Sequence, residues 1–514
     1  MTPLDVPEPA TVPGLAPCGQ HRSAARVEPP ELVQVASALL ADGMRLALVS
    51  GHDDGMAMRV VYLFTSGPPD RRIELHVPVD RTRPELPTLA GISLPASRFE
   101  RELQDLFGIE PMDHPQPRRL VLHQHWPDGW HPMRSDAGPT PPMVDEAGPY
   151  PFVPVEGTGV YEIPVGPVHA GLIEPGHFRF WVVGETILRM KARLWFVHKG
   201  IERLFEGKTV TEGLAIAERI SGDSAVGHGI AYCQAVEDAL GVEVPAEAQV
   251  LRAVLLEMER IYNHVADIGA LCNDVGFGLA NAWTLSLREQ LLQLNHKLTG
   301  HRLLRGGVAV GGASVRRLPA SSELEEIAGQ FDDLAELADS NAFVMERFSG
   351  TATLDQSHAR DLGLVGVAAR ASGVAFDARV AHPFVEFGDR FTPVMRDEGD
   401  VMARYRVRVD EVRGAIQLLE DLIGRVDAGQ AMAPDEGSPA ADRSHGGVGI
   451  AEGWRGVVVH RIELSAGGTL ARAKVVDPSF LNWPGLPVSL ADTIVPDFPL
   501  ANKSFNLSYA GNDL

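Results

Sequence analysis

The sequence predicts an α+β N-terminal domain followed by a mainly α-helical domain with a small β element. Three observations lead there. Between Glu31 and Val77 one run with helical spacing is followed by three β-rich runs. Six prolines fall between Pro139 and Pro154. Beyond about residue 160, apolar residues recur every three or four positions over long stretches, with one clear hairpin near the end.

Residues 1–28 are rich in Pro, Ala and small polar residues and read as a flexible tail. In the domain assigned to 29–136, Leu32–Leu40 has helical spacing, and Arg45–Val49, Met58–Phe64 and Ile73–Val77 read as strands. A short helix is expected between Pro84 and Pro95. Residues 137–159 form a Pro-rich linker. In the domain assigned to 160–514, Val250, Val254, Leu255, Met258, Ile261, Val265 and Ile268 mark one long helix. Further helices are expected over Leu287–Leu298, Leu324–Leu337 and Met402–Val426. Asp435–Gly449 reads as a loop, and Val457–Leu464 with Leu470–Val476 as a hairpin turning at Gly467-Gly468.

Composition narrows the function classes. The 68 acidic and 46 basic residues give a formal charge of -22, which argues against nucleic acid and anionic lipid as direct partners. No run of about 18 apolar residues is present, and the N-terminus lacks the order of a signal peptide, so no direct membrane span is expected. Cys18, Cys233 and Cys272 stand alone, without metal-ligand spacing, and fit a reducing cytoplasm. No glycine-rich nucleotide loop follows a strand.

Three blocks, Arg98–Ile109, His114–Leu120 and His131–Asp136, resemble in that order the small hydrophilic subunit of respiratory complex I. Arg118, Arg119 and Arg134 within them read as loop or interface salt-bridge residues. From about residue 160, Gly166–Gly171, Glu174–Phe178, Phe196–Glu202 and Glu257–His264 resemble the large subunit of membrane-bound, energy-converting nickel-iron hydrogenases of the formate hydrogenlyase type. Through them the chain also resembles the quinone-site subunit of complex I. The polypeptide thus resembles a fusion of two complex I subunits.

Two stretches, Glu218–His228 and Phe505–Gly511, resemble the two loops that each carry a C-x-x-C pair of metal ligands in those hydrogenases. Here the four positions read Ser221, Ser224, Ser508 and Gly511. Thiolates hold soft transition metals; neutral hydroxyls and a hydrogen atom do not. A nickel-iron centre is therefore expected from the family but lacks its ligands.

The resemblance implies roles for five further residues. Glu174 resembles the proton-transferring carboxylate, with pairing to Arg179 as the plain alternative. Arg455 resembles the arginine over the iron ligands and needs a counter-ion, Asp223 or Asp477. His228 follows the first ligand pair, and a hydrogen-bonded core histidine is the favoured reading for it. His169 matches the first histidine of the complex I quinone loop, but the quinone-contacting histidine and tyrosine fall near Ile173 and Gly222. Quinone thus stays a cofactor by analogy only. Glu257, Arg260, His264 and Asp267 recur along one helix, as in helical ion pairs or a proton relay.

The leading reading is a subunit of a complex I-related, membrane-associated oxidoreductase assembly with a degenerate nickel-iron site, coupling redox or proton transfer to membrane partners. The resemblance implies an iron-sulfur small subunit and antiporter-like membrane proteins as neighbours, at the inner face of the cell membrane. A non-catalytic structural subunit is the competing reading. A hydrogenase with non-cysteine ligands is the third.

Overall fold

The computed structural model describes residues 12–144, 148, 150–170, 173–388, 391–426 and 445–514. The chain divides into two compact units, Met1–Tyr150 and Pro151–Leu514.

The first unit contains β1 (Ala16–Gly19), β2 (Arg22–Arg26), α1 (Leu32–Ala41), β3 (Arg45–Asp53), β4 (Met58–Ser66), β5 (Arg71–Val79), β6 (Glu85–Pro87), α2 (Leu94–Phe107) and β7 (Glu110–Met112). Five strands form one sheet in the order β1-β2-β5-β4-β3. Alternation buries Val60, Leu75 and Val77 in its core, and α2 closes onto β3 through Leu103 and Phe107. The tail expectation fails for 16–28. Strand β2 runs parallel to β5, burying Ala25, Val27 and Arg22, and Arg22 reaches Glu74 at 3.4 Å. Residues 1–11 of that tail lie outside the described residues. The helix expected over 84–95 does not form. Pro87 and Gly91 interrupt the run, β6 pairs in parallel with β7, and Leu86 and Leu89 are buried without a helical turn.

The second unit opens with β8 (Val160–Val165), β9 (His177–Val183) and β10 (Thr186–Arg193), a sheet that the sequence did not disclose. There follow α3 (Ile201–Phe205), α4 (Val210–Ala217), α5 (Ala225–Leu240), α6 (Ala246–Asp274), α7 (Gly278–Thr299), β11 (Val308–Ala309), β12 (Gly312–Ala313) and α8 (Ser321–Asp339). Short helices α9 (Ala342–Phe348), α10 (Gln356–Asp361), α11 (Gly366–Arg370) and α12 (Ala378–Ala381) lead to α13 (Val401–Ile423). A second sheet of β13 (His445–Gly453), β14 (Gly456–Leu464) and β15 (Leu470–Val476) precedes α14 (Pro478–Asn482), α15 (Gly485–Ser489), α16 (Phe498–Phe505) and α17 (Tyr509–Asp513).

Helix α6 is buried at every residue from Val250 to Val265, so it is a central rod rather than a surface helix. The loop expected over 435–449 becomes strand at 445–449, and 435–444 lie outside the described residues. The glycines that signalled a loop serve a close approach instead. A Cβ at Gly449 would overlap the carbonyl of Ala231, so α5 lies directly on β13. That contact sets His228 of α5 against His460 of β14. No described helix is long and apolar enough to cross a membrane.

Candidate functional site

Two chain segments meet at the site. Residues 221–224 form the turn that enters α5, and Ser508 caps α17, its hydroxyl accepting from the Gly511 N–H at 2.9 Å. The tip of α5 is held from below: Glu259 of α6 accepts the N–H groups of Val226 and Gly227 at 2.7 and 3.0 Å. These caps bring Ser221 Oγ and Ser508 Oγ to 2.9 Å, across 287 residues of sequence.

Around this pair the bonding is dense. Ser221 Oγ donates to Asp223 Oδ1 at 2.9 Å. Arg455 grips Asp223 with both terminal nitrogens, at 2.6 and 2.7 Å, and donates to Ser224 Oγ at 3.3 Å and to the Asn506 carbonyl at 2.6 Å. Its guanidinium lies 3.9 Å over the Trp454 ring, and the indole N–H donates to the Asp223 carbonyl. Of the two counter-ions considered, Asp223 is the one bonded. Burial opposes its ionisation, but Arg455 prevails and holds the carboxyl below its usual range. Asp223 and Gly222 remain the solvent-facing edge of the cluster.

Gly511, the fourth position of the motif resemblance, faces a carboxylate. A Cβ at Gly511 would overlap the carboxylate of Asp477. Asp477 in turn accepts from His228 Nε2 at 3.0 Å, and His228 Nδ1 lies 3.0 Å from His460 Nε2. Burial, with His228 adding to it, holds His460 well below the usual imidazole range. His228 Nε2 donates to Asp477, and either ring can donate across the His228–His460 contact. His460 Nδ1 has no partner among the described residues.

This donor set does not fit a nickel-iron centre. It supplies three hydroxyls already bonded to one another or to Asp223, a hydrogen atom facing a carboxylate, and a guanidinium beside Ser224. A metal would need thiolates in place of the first and would be repelled by the last.

The other candidates sit farther out. Glu174, half-buried, accepts the Ala510 N–H at 3.0 Å and so touches the 508–511 turn. It does not pair with Arg179, which bonds Glu162 at 3.4 Å and stacks on Phe152. His169 bonds the Gly176 carbonyl at 2.8 Å and makes no described contact with the serines.

The stripe on α6 is an interhelical charge network. Glu257 pairs with Arg260 at 2.9 Å and with Arg379 at 3.1 Å; His264 Nε2 lies 2.7 Å from Glu411; Arg408 donates to Asp267 at 2.8 Å. Arg370 joins Glu411, Glu452 and Asp377. Asn506 links this network to the cluster: its side chain donates to Asp267 at 2.5 Å and its carbonyl accepts from Arg455. Sequence reasoning missed His460, Asn506, Arg370, Glu411 and Ser479, whose Oγ accepts the Ser508 N–H at 2.9 Å. Only His460 carried a signal, as a lone imidazole in the apolar run Val457–Leu464.

Comparison with known proteins places this arrangement. Residues 25–142 match the family of the respiratory-chain NADH dehydrogenase 30 kDa subunit, 199–272 that of nickel-dependent hydrogenases, and 274–446 that of the 49 kDa subunit. Formate hydrogenlyase subunit 5 of Escherichia coli (strain K12) is 32% identical over 454 residues, spanning 86% of this chain and 79% of that protein. An NADH-quinone oxidoreductase subunit of Bacteroides thetaiotaomicron is 29% identical over 426 residues, 76% of this chain and 80% of that one. Among solved structures, a chain of the membrane-bound sulfane sulfur reductase, an archaeal respiratory membrane complex, shares the fold at a TM-score of 0.63 and 24% identity, covering 70% of this chain and all of that one. With 30 kDa-type and 49 kDa-type regions joined in one polypeptide and this similarity across most of its length, the chain belongs to the family of formate hydrogenlyase subunit 5.

Proposed function

We propose that this chain is a nickel-free subunit of a complex I-related, membrane-associated oxidoreductase assembly, in which the former metal site holds and moves charge instead of binding hydrogen. The observation that carries the reading is the closed bonding of Ser221, Ser508, Asp223 and Arg455, with Asp477 in the space of the fourth ligand. Family membership supports an iron-sulfur small subunit and antiporter-like membrane proteins as partners, on the inner face of the membrane. A quinone is compatible with the family, but His169 bonds its own loop, so no headgroup ligand is assigned.

The chemistry open to these residues is proton handling. Asp477, His228 and His460 form a buried chain ending in an Nδ1 without a partner among the described residues, and Asp223 and Glu174 supply carboxylates at the rim. A structural role is the second reading, favoured by how fully the serine hydroxyls are bonded. Elemental analysis of the purified assembly tests the first claim. Nickel is expected below stoichiometry, and one nickel per chain would overturn it. His228→Gln separates the two readings: slowed turnover in an intact assembly supports proton handling, and unchanged turnover supports the structural role.

A further inference from the structure

A cavity of about 430 Å³ opens on the outer side of α13, walled by Phe387, Phe391, Val394 and Leu418. Its floor is charged. Arg379 and Glu411 line it while only 6% and 3% exposed. Arg379 is fixed by Asp377 and Glu257, and a guanidinium does not give up its proton. Glu420 and Asp421, which also line the cavity, lie on the exposed surface of α13. Glu411 is thus the cavity's buried carboxylate, and its Oε2 lies 2.7 Å from His264 Nε2.

His264 is fully buried, and its Nδ1 has no hydrogen-bond partner among the described residues. A buried polar atom left unsatisfied in this way destabilises the fold and calls for a reason. Arg260 and Arg408 face the ring with like charge, Glu411 faces Nε2, and the Trp454 ring stands edge-on at 5.9 Å. Burial, aided by the two guanidiniums, holds the imidazole below its ordinary range despite Glu411. The resting ring is therefore neutral, with Nε2–H on Glu411 and a lone pair on Nδ1. Behind Trp454 lies the Arg455–Asp223 pair of the former metal site.

We propose that Glu411 and His264 form a proton port between this solvent cavity and the interior of the second unit. A proton arriving at Nδ1 makes the imidazolium; the Nε2 proton then passes to a Glu411 oxygen and leaves through the cavity to water. One N–H forms and one breaks, an O–H forms and breaks on Glu411 Oε2 while Arg370 keeps Oε1, and the reverse sequence takes a proton up. The port gives the proton-handling role proposed above a named route, and rests on that role for its purpose.

Deuterium exchange at the imidazole C2–H of each histidine, read by mass spectrometry on the intact assembly in D2O, tests the port without reference to nickel or turnover. His114 of the first unit, whose side chain is as fully buried as that of His264 and bonds the Ser97 carbonyl, is the internal control. His264 is expected to exchange roughly tenfold faster than His114. Gly414 lines the cavity with open space at its Cβ, so Gly414→Trp places a ring at the cavity, and exposed Gln417→Trp is a second plug. Either plug should slow His264 and leave the other histidines unchanged. Exchange at His264 as slow as at His114, or indifferent to both plugs, overturns the port.

Discussion

Two clusters of buried carboxylates, one in each unit, are held by opposite means. In the first, Asp105 Oδ2 accepts three consecutive backbone N–H groups, of Leu120, Val121 and Leu122, at 2.8, 2.7 and 3.1 Å, and Glu100 accepts from the Leu89 N–H and the Thr88 hydroxyl. In the second, Glu257, Asp267, Asp377, Glu411 and Glu452 meet Arg260, Arg370, Arg379 and Arg408. Neutral donors fix a loop but leave the burial cost of the charge largely standing. Burial accordingly pushes Glu100 up to about 7. Guanidiniums reverse the sign: burial opposes, but Arg379 and Arg370 hold Asp377 down at about 2. Asp105 and Glu100 act as folding staples, and the acids around Arg260, Arg370, Arg379 and Arg408 as one coupled charge array.

If that contrast holds, removing one cation from the array is the severest change in the molecule. Arg370→Met strands Glu411, Glu452 and Asp377 together, and should cost the second unit about 3–5 kcal/mol in denaturant unfolding. A loss confined to a few tenths would mean that the array is wet and weakly coupled. Asp105→Ala leaves three amides without an acceptor and should cost the first unit about 3 kcal/mol. Asp105→Asn, which keeps an accepting oxygen, should recover much of it.

The sign of the pH response sharpens the comparison. Glu100 has a folded pKa of about 7 against an ordinary 4.5, so the folded state binds the extra proton between those values. Its contribution to stability is full below pH 4.5 and is lost as pH rises through 7. Asp377, depressed from 3.8 to about 2, contributes above pH 3.8 and loses that contribution as pH falls through 2. The unfolding free energy of the first unit should therefore fall by on the order of 3 kcal/mol between pH 4.5 and 7, and Glu100→Gln should flatten the profile. A flat wild-type profile would show that the Thr88 and Leu89 bonds outweigh burial.

How far these differences can be read from sequence depends on whether the partner is local. The rods α6, α7, α8 and α13 follow from apolar spacing, and the hairpin from Gly467-Gly468, because each is a local pattern. Strand β2 is not a local pattern, since Arg22–Arg26 becomes a strand only beside β5, and Gly447 and Gly449 look like loop residues until α5 is laid on them. The site behaves the same way. Motif resemblance locates Ser221, Ser224, Ser508 and Gly511, and helical spacing finds Glu257, Arg260, His264 and Asp267. Neither tells that Glu411 comes from α13 or that Asp477 closes on Gly511. Packing chooses partners from distant segments, and one sequence records only the faces.

The serine cluster lies between the two modes, using hydroxyls and one bidentate arginine. Gly511→Ala forces a methyl group onto the Asp477 carboxylate and should cost about 1–3 kcal/mol. For the same reason, the quadruple change Ser221→Cys, Ser224→Cys, Ser508→Cys, Gly511→Cys should not yield stoichiometric nickel by elemental analysis. If it does, Asp477 can move aside and the site is latent rather than rebuilt.

The smallest effect tests whether burial, rather than pairing as such, makes the array matter. Arg413 of α13 bonds Asp332 of α8 at 2.9 Å, a geometry as good as that of Arg260 with Glu257. Its side chains are 45% and 59% exposed, where both members of the buried pair are 0%. Water and salt screen the exposed pair, so Asp332→Ala should change stability by less than about 0.5 kcal/mol. A double-mutant cycle on the exposed pair against one on Glu257 and Arg260 measures the ratio directly. Equal coupling energies would mean that distance alone governs these ion pairs, and the contrast between a buried array and a decorated surface would collapse.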